Sequence, residues 1–262
     1  MLVTIKANYL FLVDYFVNDL FKYLDFETIS TCNRTCPTCI RNSHPDREAL
    51  SSWFTPNYLG METIKDALDQ AVGLGFTGGV CLSHYNEPLM DERIPEISSL
   101  VRSYPQFYTV YFHTNGDYLT EEIAKDLDGR LDRIVFSLYM DEPKKTERKG
   151  WIQSLFHKTK AEVITQSDHI ATHFSPSFDV EALAEQNRMK DCKEPQIRVV
   201  INHRRQYLLC CDDVIGNFDL GTFPETSIEK YWFGEKRMKI MNDLNVAGGR
   251  LKYAYCSTCP RP

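Results

Sequence analysis

Three cysteines near the N-terminus are the best candidates in this sequence for a metal-binding or catalytic site. Cys32, Cys36 and Cys39 are spaced C-x3-C-x2-C in the segment CNRTCPTC. Three thiolates at this spacing can hold three irons of a [4Fe–4S] cluster, and the fourth iron then stays open to bind and activate a small molecule. A zinc site would need a fourth ligand, which the nearby His44 could supply, so zinc is the alternative.

Of the remaining six cysteines, one stands alone and five lie towards the C-terminus. The lone one is Cys81, and the five are Cys192, Cys210, Cys211, Cys256 and Cys259. The first 24 residues have apolar clusters broken by charges, without the pattern of a secretory signal, and no run of about 18 apolar residues occurs. Nine clustered cysteines in such a chain indicate metal or redox chemistry in a reducing compartment. We therefore expect a cytoplasmic protein with no membrane partner.

The composition is that of an ordinary globular protein. The chain has 262 residues, of which 43% are hydrophobic and 25% are charged, and its net charge is −6. This length suits one large α/β domain with a small appendage. An acidic chain is a poor partner for a phosphate backbone, so we expect no nucleic acid. A small neutral or cationic substrate, or a peptide, is compatible with the charge.

Strand-like and helix-like segments alternate along the first 190 residues, which predicts a parallel sheet with right-handed crossovers. In such folds the functional residues gather at the carboxyl ends of the strands. Beyond residue 192 the pattern changes to a hairpin followed by one helix. The predicted strands are 26–31, 80–83, 108–113 and 133–138, with weaker candidates at 162–165 and 169–173. The predicted hairpin is 197–202 and 206–209, and the predicted helices include 61–74 and 227–244.

The cysteine loop and the segments that follow it resemble the radical SAM superfamily. The resemblance implies an α/β fold with a partial (βα)6 barrel, in which the open iron chelates S-adenosylmethionine (SAM). One electron then cleaves SAM to methionine and a 5′-deoxyadenosyl radical, which abstracts a hydrogen atom from the substrate. A flavodoxin- or ferredoxin-type protein is the implied reductant.

Later segments match the family in the same order. SHYNEPL is similar to the family's Gly-Gly-Glu-Pro region, in which the acid at the Glu87 position receives the SAM amino group, and Asn86 stands where glycine is usual. By the same resemblance, Thr114 and Asn115 of HTNGD and Ser137 contact the ribose or methionine of SAM. Alone, Glu87 could be a helix-capping carboxylate and Ser137 an ordinary strand hydroxyl.

The C-terminal cysteines resemble the auxiliary-cluster module called a twitch domain, which is related to the longer SPASM module. The match implies a second, auxiliary [4Fe–4S] cluster, and a four-cysteine zinc site is the alternative. Cys211 and Cys81 are left over. Cys81 is expected in the core, although it could donate a hydrogen atom if it faces the cavity. The implied cluster ligands are Cys192, Cys210, Cys256 and Cys259.

This organisation predicts three parts. They are an N-terminal helical extension (1–25), the radical SAM partial barrel (26–190) and the auxiliary-cluster domain (191–262). Residues at predicted strand ends could line the substrate pocket, namely His84, Tyr85, Tyr139 and His173. The hairpin arginines Arg198, Arg204 and Arg205 are expected to be solvated.

The predicted function is an oxidoreductase of the dehydrogenase type acting on a polyol, sugar or cyclitol, with the auxiliary cluster accepting an electron. A peptide-modifying enzyme and an epimerase are alternatives within the same chemistry. A zinc-binding interaction module without turnover is the alternative from a different class.

Overall fold

Seven short strands build one open sheet at the centre of the chain. The computed structural model describes residues 20–37, 39–51, 55–164, 171–174 and 178–262. The sheet order is β5-β4-β3-β2-β1-β6-β7, and all neighbouring strands are parallel except β6 and β7. The strands are β1 (Tyr23–Phe26), β2 (Gly79–Cys81), β3 (Thr109–Thr114), β4 (Arg133–Ser137), β5 (Lys160–Ile164), β6 (Arg198–Ile201) and β7 (Tyr207–Leu208).

Helices connect the strands. After β1 come α1 (Ile40–Ser43), α2 (Arg47–Leu50) and α3 (Met61–Gly73), and α4 (Ile94–Arg102) follows β2. α5 (Glu121–Leu127) and α6 (Lys144–Leu155) flank β4, and α7 (Val180–Asn187) and α8 (Glu194–Ile197) precede β6. After β7 come α9 (Ile228–Trp232), α10 (Glu235–Leu244) and α11 (Ala254–Ser257). None of the helices in the described ranges is long and apolar enough to cross a membrane.

The two faces of the sheet differ in polarity because successive side chains of a strand point to opposite sides. One face is apolar and belongs to the main hydrophobic core, with residues such as Leu24, Phe26, Val80, Phe112 and Phe136. Each such burial stabilises the fold by roughly 1.5–3 kcal/mol. The opposite face carries Asp25, Cys81, Tyr111, His113 and Arg198, which line a cavity.

The α/β class and the parallel-dominated sheet are confirmed, while several boundaries differ from prediction. The first strand lies at Tyr23–Phe26 and not at 26–31, so it includes residues assigned to the N-terminal extension. The β-branched run after Phe26 forms a loop instead, where the Ser30 hydroxyl donates to the Thr55 carbonyl and accepts from the Asn57 amide. The predicted helical extension otherwise lies outside the described residues. Of the strand predicted at 169–173, residues 169 and 170 also lie outside them, and residues 171–173 are a loop and not a strand.

The C-terminal region begins with a strand of the main sheet. The predicted hairpin is confirmed, since β6 and β7 pair antiparallel. β6 also pairs parallel with β1, so the sheet continues across the predicted boundary at residues 190 and 191. The single helix predicted at 227–244 is wrong, because it divides into α9 and α10. Gly234 lies at the break, where a Cβ would be 2.4 Å from the Lys230 carbonyl oxygen.

Candidate functional site

A cavity of about 460 Å³ extends along the polar face of the sheet and the carboxyl ends of the strands. Cys32, Cys36 and Cys39 line it together, and all three are partly exposed. α1 begins directly after Cys39, whose amide donates to the Cys36 carbonyl at 3.1 Å. The three predicted iron ligands therefore face one shared space.

Burial and two arginines have opposite effects on these thiols. Burial raises the pKa of all three, and that of Cys39 to about 11. The guanidinium groups of Arg34 and Arg41 lower the pKa of Cys32, because positive charge favours the thiolate. An iron must displace the thiol proton, so loading of this loop is favoured as the pH rises.

The segment after β3 holds the cysteine loop in place. Asp117 accepts from Arg34 Nε and from Asn33 Nδ2, each at 2.7 Å. Asn115 Nδ2 donates to Asn33 Oδ1 at 2.8 Å. The Arg34 guanidinium also lies 5.0 Å from the centre of the Tyr139 ring. The HTNGD segment is therefore connected to the loop by a charge-assisted bidentate pair.

The structure brings all five predicted SAM-contacting residues onto the same cavity as the cysteines. They are Asn86, Glu87, Thr114, Asn115 and Ser137. Asn86 is buried, and its Oδ1 accepts from the His84 amide at 2.9 Å. Asn115 Nδ2 is 3.9 Å from the Cys32 sulfur.

The Glu87 carboxylate already has three donors from within the protein. Oε1 accepts from the Leu89 amide at 3.0 Å and from Thr114 Oγ1 at 2.5 Å, and Oε2 accepts from the Asn115 amide at 2.8 Å. Burial raises the Glu87 pKa, while these hydrogen bonds act against the rise. Glu87 therefore caps the 3-10 turn at Pro88–Met90 and joins the ends of β2 and β3. Its contact with the SAM ammonium stays a prediction.

Glu87→Gln should reduce stability as well as SAM binding. An amide at this position cannot accept from all three donors, and one unsatisfied buried group costs about 1–3 kcal/mol. We expect a lower free energy of unfolding, measured with denaturant, and a SAM dissociation constant raised by roughly the same energy. Glu92→Gln is the matched control, because Glu92 is exposed in the next turn. Unchanged unfolding would contradict the capping role, and an unchanged SAM dissociation constant would contradict the contact.

Three of the four predicted substrate residues line the cavity, namely His84, Tyr85 and Tyr139. Burial lowers the pKa of His84 to about 4, so its imidazole is neutral at pH 7. His173 does not line the cavity. It is 2% exposed, its Nε2 is 2.8 Å from the Tyr255 carbonyl oxygen, and its Nδ1 pairs with Asp212.

Three of the four predicted auxiliary ligands come together from two segments. Cys192 precedes α8 and donates its amide to the Leu244 carbonyl at 2.8 Å. Cys256 lies in α11, and the Cys259 amide donates to its carbonyl at 3.2 Å. Burial raises the Cys256 pKa to about 12, and the charges of Cys192 and Cys259 raise it further. These three thiols are therefore close enough to interact.

One close group of metal-binding side chains includes a predicted auxiliary ligand. In the described ranges, His173, Asp212 and Cys259 have all their ligand atoms within 4.8 Å of one another. Zinc therefore stays the alternative to iron at the second site.

The adjacent cysteines at the end of β7 have different surroundings. Cys211 lines the cavity and its sulfur is 3.6 Å from Glu194 Oε2. Cys210 does not line it, and burial raises its pKa well above the usual value. The assignment of Cys210 as the auxiliary ligand and Cys211 as the spare thiol stays a prediction. Cys81 is buried as expected, yet it also lines the cavity.

Several residues that line the cavity were not predicted from the sequence. Arg204 and Arg205 are exposed as expected, but Arg198 is not a solvated hairpin residue. Its side chain is 16% exposed and pairs with Asp25 at 2.5 Å. Arg261, next to the last residue of the chain, also lines the cavity. The signal for Asp25 was the polar residue between Leu24 and Phe26, since such alternation marks a strand with one polar face.

The sequence and the fold are similar to those of known proteins. The radical SAM superfamily profile matches residues 26–160. The S-adenosyl-L-methionine-dependent 2-deoxy-scyllo-inosamine dehydrogenase of Niallia circulans is 25% identical over 245 residues, which cover 93% of this chain and 94% of that protein. The crystal structure of BtrN in complex with AdoMet and 2-DOIA has a TM-score of 0.74 at 22% identity, over 92% and 93% of the two chains. Native anSMEcpe with bound AdoMet has a TM-score of 0.60 at 13% identity, over 91% and 88%.

The chain belongs to the radical SAM superfamily, because the profile covers just over half of its residues. It is therefore an enzyme whose cofactors are SAM and a [4Fe–4S] cluster. Cys32, Cys36 and Cys39 fit the cluster, since they provide three thiolates and no fourth protein ligand of the same loop.

Proposed function

We propose that the protein is a radical SAM dehydrogenase that oxidises a hydroxyl group of a small polyol, sugar or cyclitol. The carrying observation is that the three thiols of the first loop, Cys32, Cys36 and Cys39, line one polar cavity together. Cys211, the chain neighbour of the predicted auxiliary ligand Cys210, lines the same cavity from the hairpin. A substrate in this cavity would lie beside the radical source, with the predicted electron acceptor one residue behind the cavity wall.

The chemistry requires an acceptor for one electron besides the hydrogen atom and the proton. When bound at the first loop, the cluster supplies the electron that cleaves SAM to methionine and the 5′-deoxyadenosyl radical. A second [4Fe–4S] cluster on Cys192, Cys210, Cys256 and Cys259 would receive the electron that the substrate loses. The likeness to a dehydrogenase over almost the whole chain supports this assignment.

The lining of the cavity supports a small, hydrogen-bonding substrate. Three of the four arginines on the cavity, Arg34, Arg198 and Arg261, each face a carboxylate of the protein at 3.4 Å or less. The fourth, Arg41, lies beside the first-loop thiols Cys32 and Cys39. The arginine charges are therefore directed at groups of the protein itself. His84 and Tyr139 add polar groups on the same walls. A polyhydroxylated ring fits such a surface, because it presents donors and acceptors around a compact apolar core.

The activity is tested with anaerobically reconstituted protein, SAM, a flavodoxin-type reductant and 2-deoxy-scyllo-inosamine as the first probe. We expect 5′-deoxyadenosine together with a product two mass units lighter than the probe, detected by mass spectrometry. A neutral cyclitol and a simple sugar serve as further probes. If 5′-deoxyadenosine forms and every polyol is returned unoxidised, the dehydrogenase assignment is wrong while the radical chemistry stands.

An epimerase is the second candidate, because Cys81 and Cys211 both line the cavity. An epimerase returns a hydrogen atom to the substrate radical, and a thiol can donate it. Cys81 Sγ is 3.3 Å from the Ser83 carbonyl oxygen, and Cys211 Sγ is 3.6 Å from Glu194. Both thiols thus have acceptors within the protein, which favours structural roles for them and the dehydrogenase for the enzyme.

A further inference from the structure

A buried carboxylate lies on the polar face of β1 with one oxygen unused. The side chain of Asp25 is 4% exposed and lines the cavity. Its Oδ2 accepts from Arg198 Nη1 at 2.5 Å, whereas its Oδ1 is buried without a hydrogen-bond partner. A buried carboxylate oxygen without a donor is unfavourable, so the fold alone does not account for this residue.

The strand neighbours of Asp25 supply no donor to its unused oxygen. Its in-register neighbours are Cys81 on β2 and Val200 on β6, which are apolar or weakly polar. The next residue across the sheet on the same face is Tyr111. The Arg198 partner accounts for Oδ2, whereas Oδ1 has no hydrogen-bond partner. The unused oxygen therefore points to a donor that arrives with a ligand.

Arg198 and Asp25 form an ion pair in which the two charges cancel. Arg198 Nε donates to Glu194 Oε2 at 2.9 Å while Nη1 binds Asp25. The pair gives the cavity an acceptor, Asp25 Oδ1, beside a guanidinium whose remaining N–H groups can donate. An anionic ligand gains little from it, because Asp25 already compensates the arginine. Two neighbouring hydroxyls fit, one donating to Asp25 and one accepting from Arg198.

We propose that Asp25 and Arg198 form a subsite for a vicinal diol of the substrate, in which Asp25 Oδ1 accepts the O–H proton of the hydroxyl that is oxidised. The inference rests on the proposed dehydrogenation and names the residue that takes its proton. Oxidation of CH–OH to C=O releases two protons and two electrons in all. One proton and one electron leave as a hydrogen atom to the 5′-deoxyadenosyl radical, the second proton goes to Asp25, and the second electron goes to the auxiliary site.

The ionisation of Asp25 gives the subsite a pH dependence. Burial raises the Asp25 pKa to about 6, while Arg198 lowers it and Glu194 raises it. The other titratable groups on this face are neutral near pH 6, because burial raises the pKa values of Cys81 and Tyr111 and lowers the pKa of His113 to about 4. Protonated Asp25 cannot take a proton, so kcat/KM should fall as the pH drops through about 6.

The ionisation of Asp25 should also be detectable without a ligand, in the pH dependence of the protein's stability. The folded-state pKa of Asp25 lies above its ordinary value of 3.8, so folding favours the protonated form. The contribution of Asp25 to stability is therefore greatest at low pH and decreases as the pH rises from about 4 to about 6. Asp25→Asn removes this contribution, so the stability difference between wild type and variant should change across that window.

The decisive experiment compares Asp25→Asn with Glu194→Gln in the reconstituted, SAM-loaded enzyme. Both changes replace an acid that binds Arg198, but Glu194 is 35% exposed and does not line the cavity. Binding of 2-deoxy-scyllo-inosamine is measured by calorimetry from pH 5 to 8, with cyclohexylamine as the probe that lacks hydroxyls. We expect Asp25→Asn to weaken cyclitol binding about tenfold and to abolish the acidic limb of kcat/KM. Glu194→Gln should leave cyclitol binding unchanged and keep the acidic limb, moved to lower pH because Glu194 raises the Asp25 pKa.

The result is informative even if the isosteric variant folds poorly. The double variant Asp25→Asn/Arg198→Gln removes both charges and avoids an unpaired buried guanidinium. Cyclitol binding and a pH profile that are the same in wild type and in both Asp25 variants would overturn the proposal, and so would equal binding of cyclohexylamine. If the dehydrogenase assignment alone is wrong, the result is different, because the cyclitol would still bind through Asp25 but would be returned unoxidised.

Discussion

Replacing Cys32, Cys36 and Cys39 together with Ala should abolish SAM cleavage and reduce the iron content by half. The unaltered, anaerobically reconstituted protein should contain about eight irons per chain as two four-iron clusters. Without the three thiolates of the first loop nothing holds the open iron, so no electron can reach SAM. Iron is measured by a colorimetric assay, and 5′-deoxyadenosine by chromatography.

The structure offers a matched control for this loss. Cys81→Ala and Cys211→Ala also remove cavity-lining thiols, yet neither residue belongs to a predicted cluster, so the iron content should stay near eight. Binding of zinc at the second site would appear as about four irons in the unaltered protein together with one zinc. That outcome would remove the auxiliary cluster and leave the first loop intact.

Much of the cysteine loop and its surroundings could be predicted because short motifs define local chemistry. The spacing of Cys32, Cys36 and Cys39, together with Glu87 and Asn115, selected residues that do line one cavity. Each lies at or just beyond the carboxyl end of a strand. Strand order in a parallel fold brings such positions together whatever their separation in the chain.

The polar face of the sheet was harder to predict because its contacts are made between distant strands. Arg198 looks solvated in sequence, since it stands before a polar turn with two more arginines. It is covered only because β6 returns beside β1 and places it near Asp25, a partner 173 residues away. Periodicity can show that Asp25 lies on a polar face, but it cannot show which strand pairs with β1.

The structural role of Glu87 shows a similar limit. Its sequence context indicates a SAM contact, and the sequence also allowed a helix cap. The structure gives it bonds to Thr114 and the Asn115 amide, which lie on another strand. A sequence motif can therefore identify Glu87 as a functional position. Which groups donate hydrogen bonds to its carboxylate depends on the register of β2 and β3.

The auxiliary site should separate the proposed dehydrogenase from the epimerase. Cys192→Ala or Cys259→Ala should abolish product formation, because the substrate radical loses its electron acceptor, although some uncoupled SAM cleavage can survive. The pKa values of the remaining thiols are raised by burial, so a partial set would bind iron weakly. Cys81→Ala and Cys211→Ala should keep most of the activity.

The same variants give a decisive labelling experiment in deuterated water, with the substrate that the activity assay selects. The dehydrogenase yields a product two hydrogens lighter, with no deuterium at the reacting carbon. The epimerase yields a product of unchanged constitution with one deuterium there, since a thiol exchanges its proton with solvent before it donates. Cys81 and Cys211 are the two spare thiols on the cavity, so that deuterium would disappear in one of their Ala variants. Such a loss would establish the epimerase and overturn the dehydrogenase, because a thiol placed to return hydrogen has no part in a net oxidation.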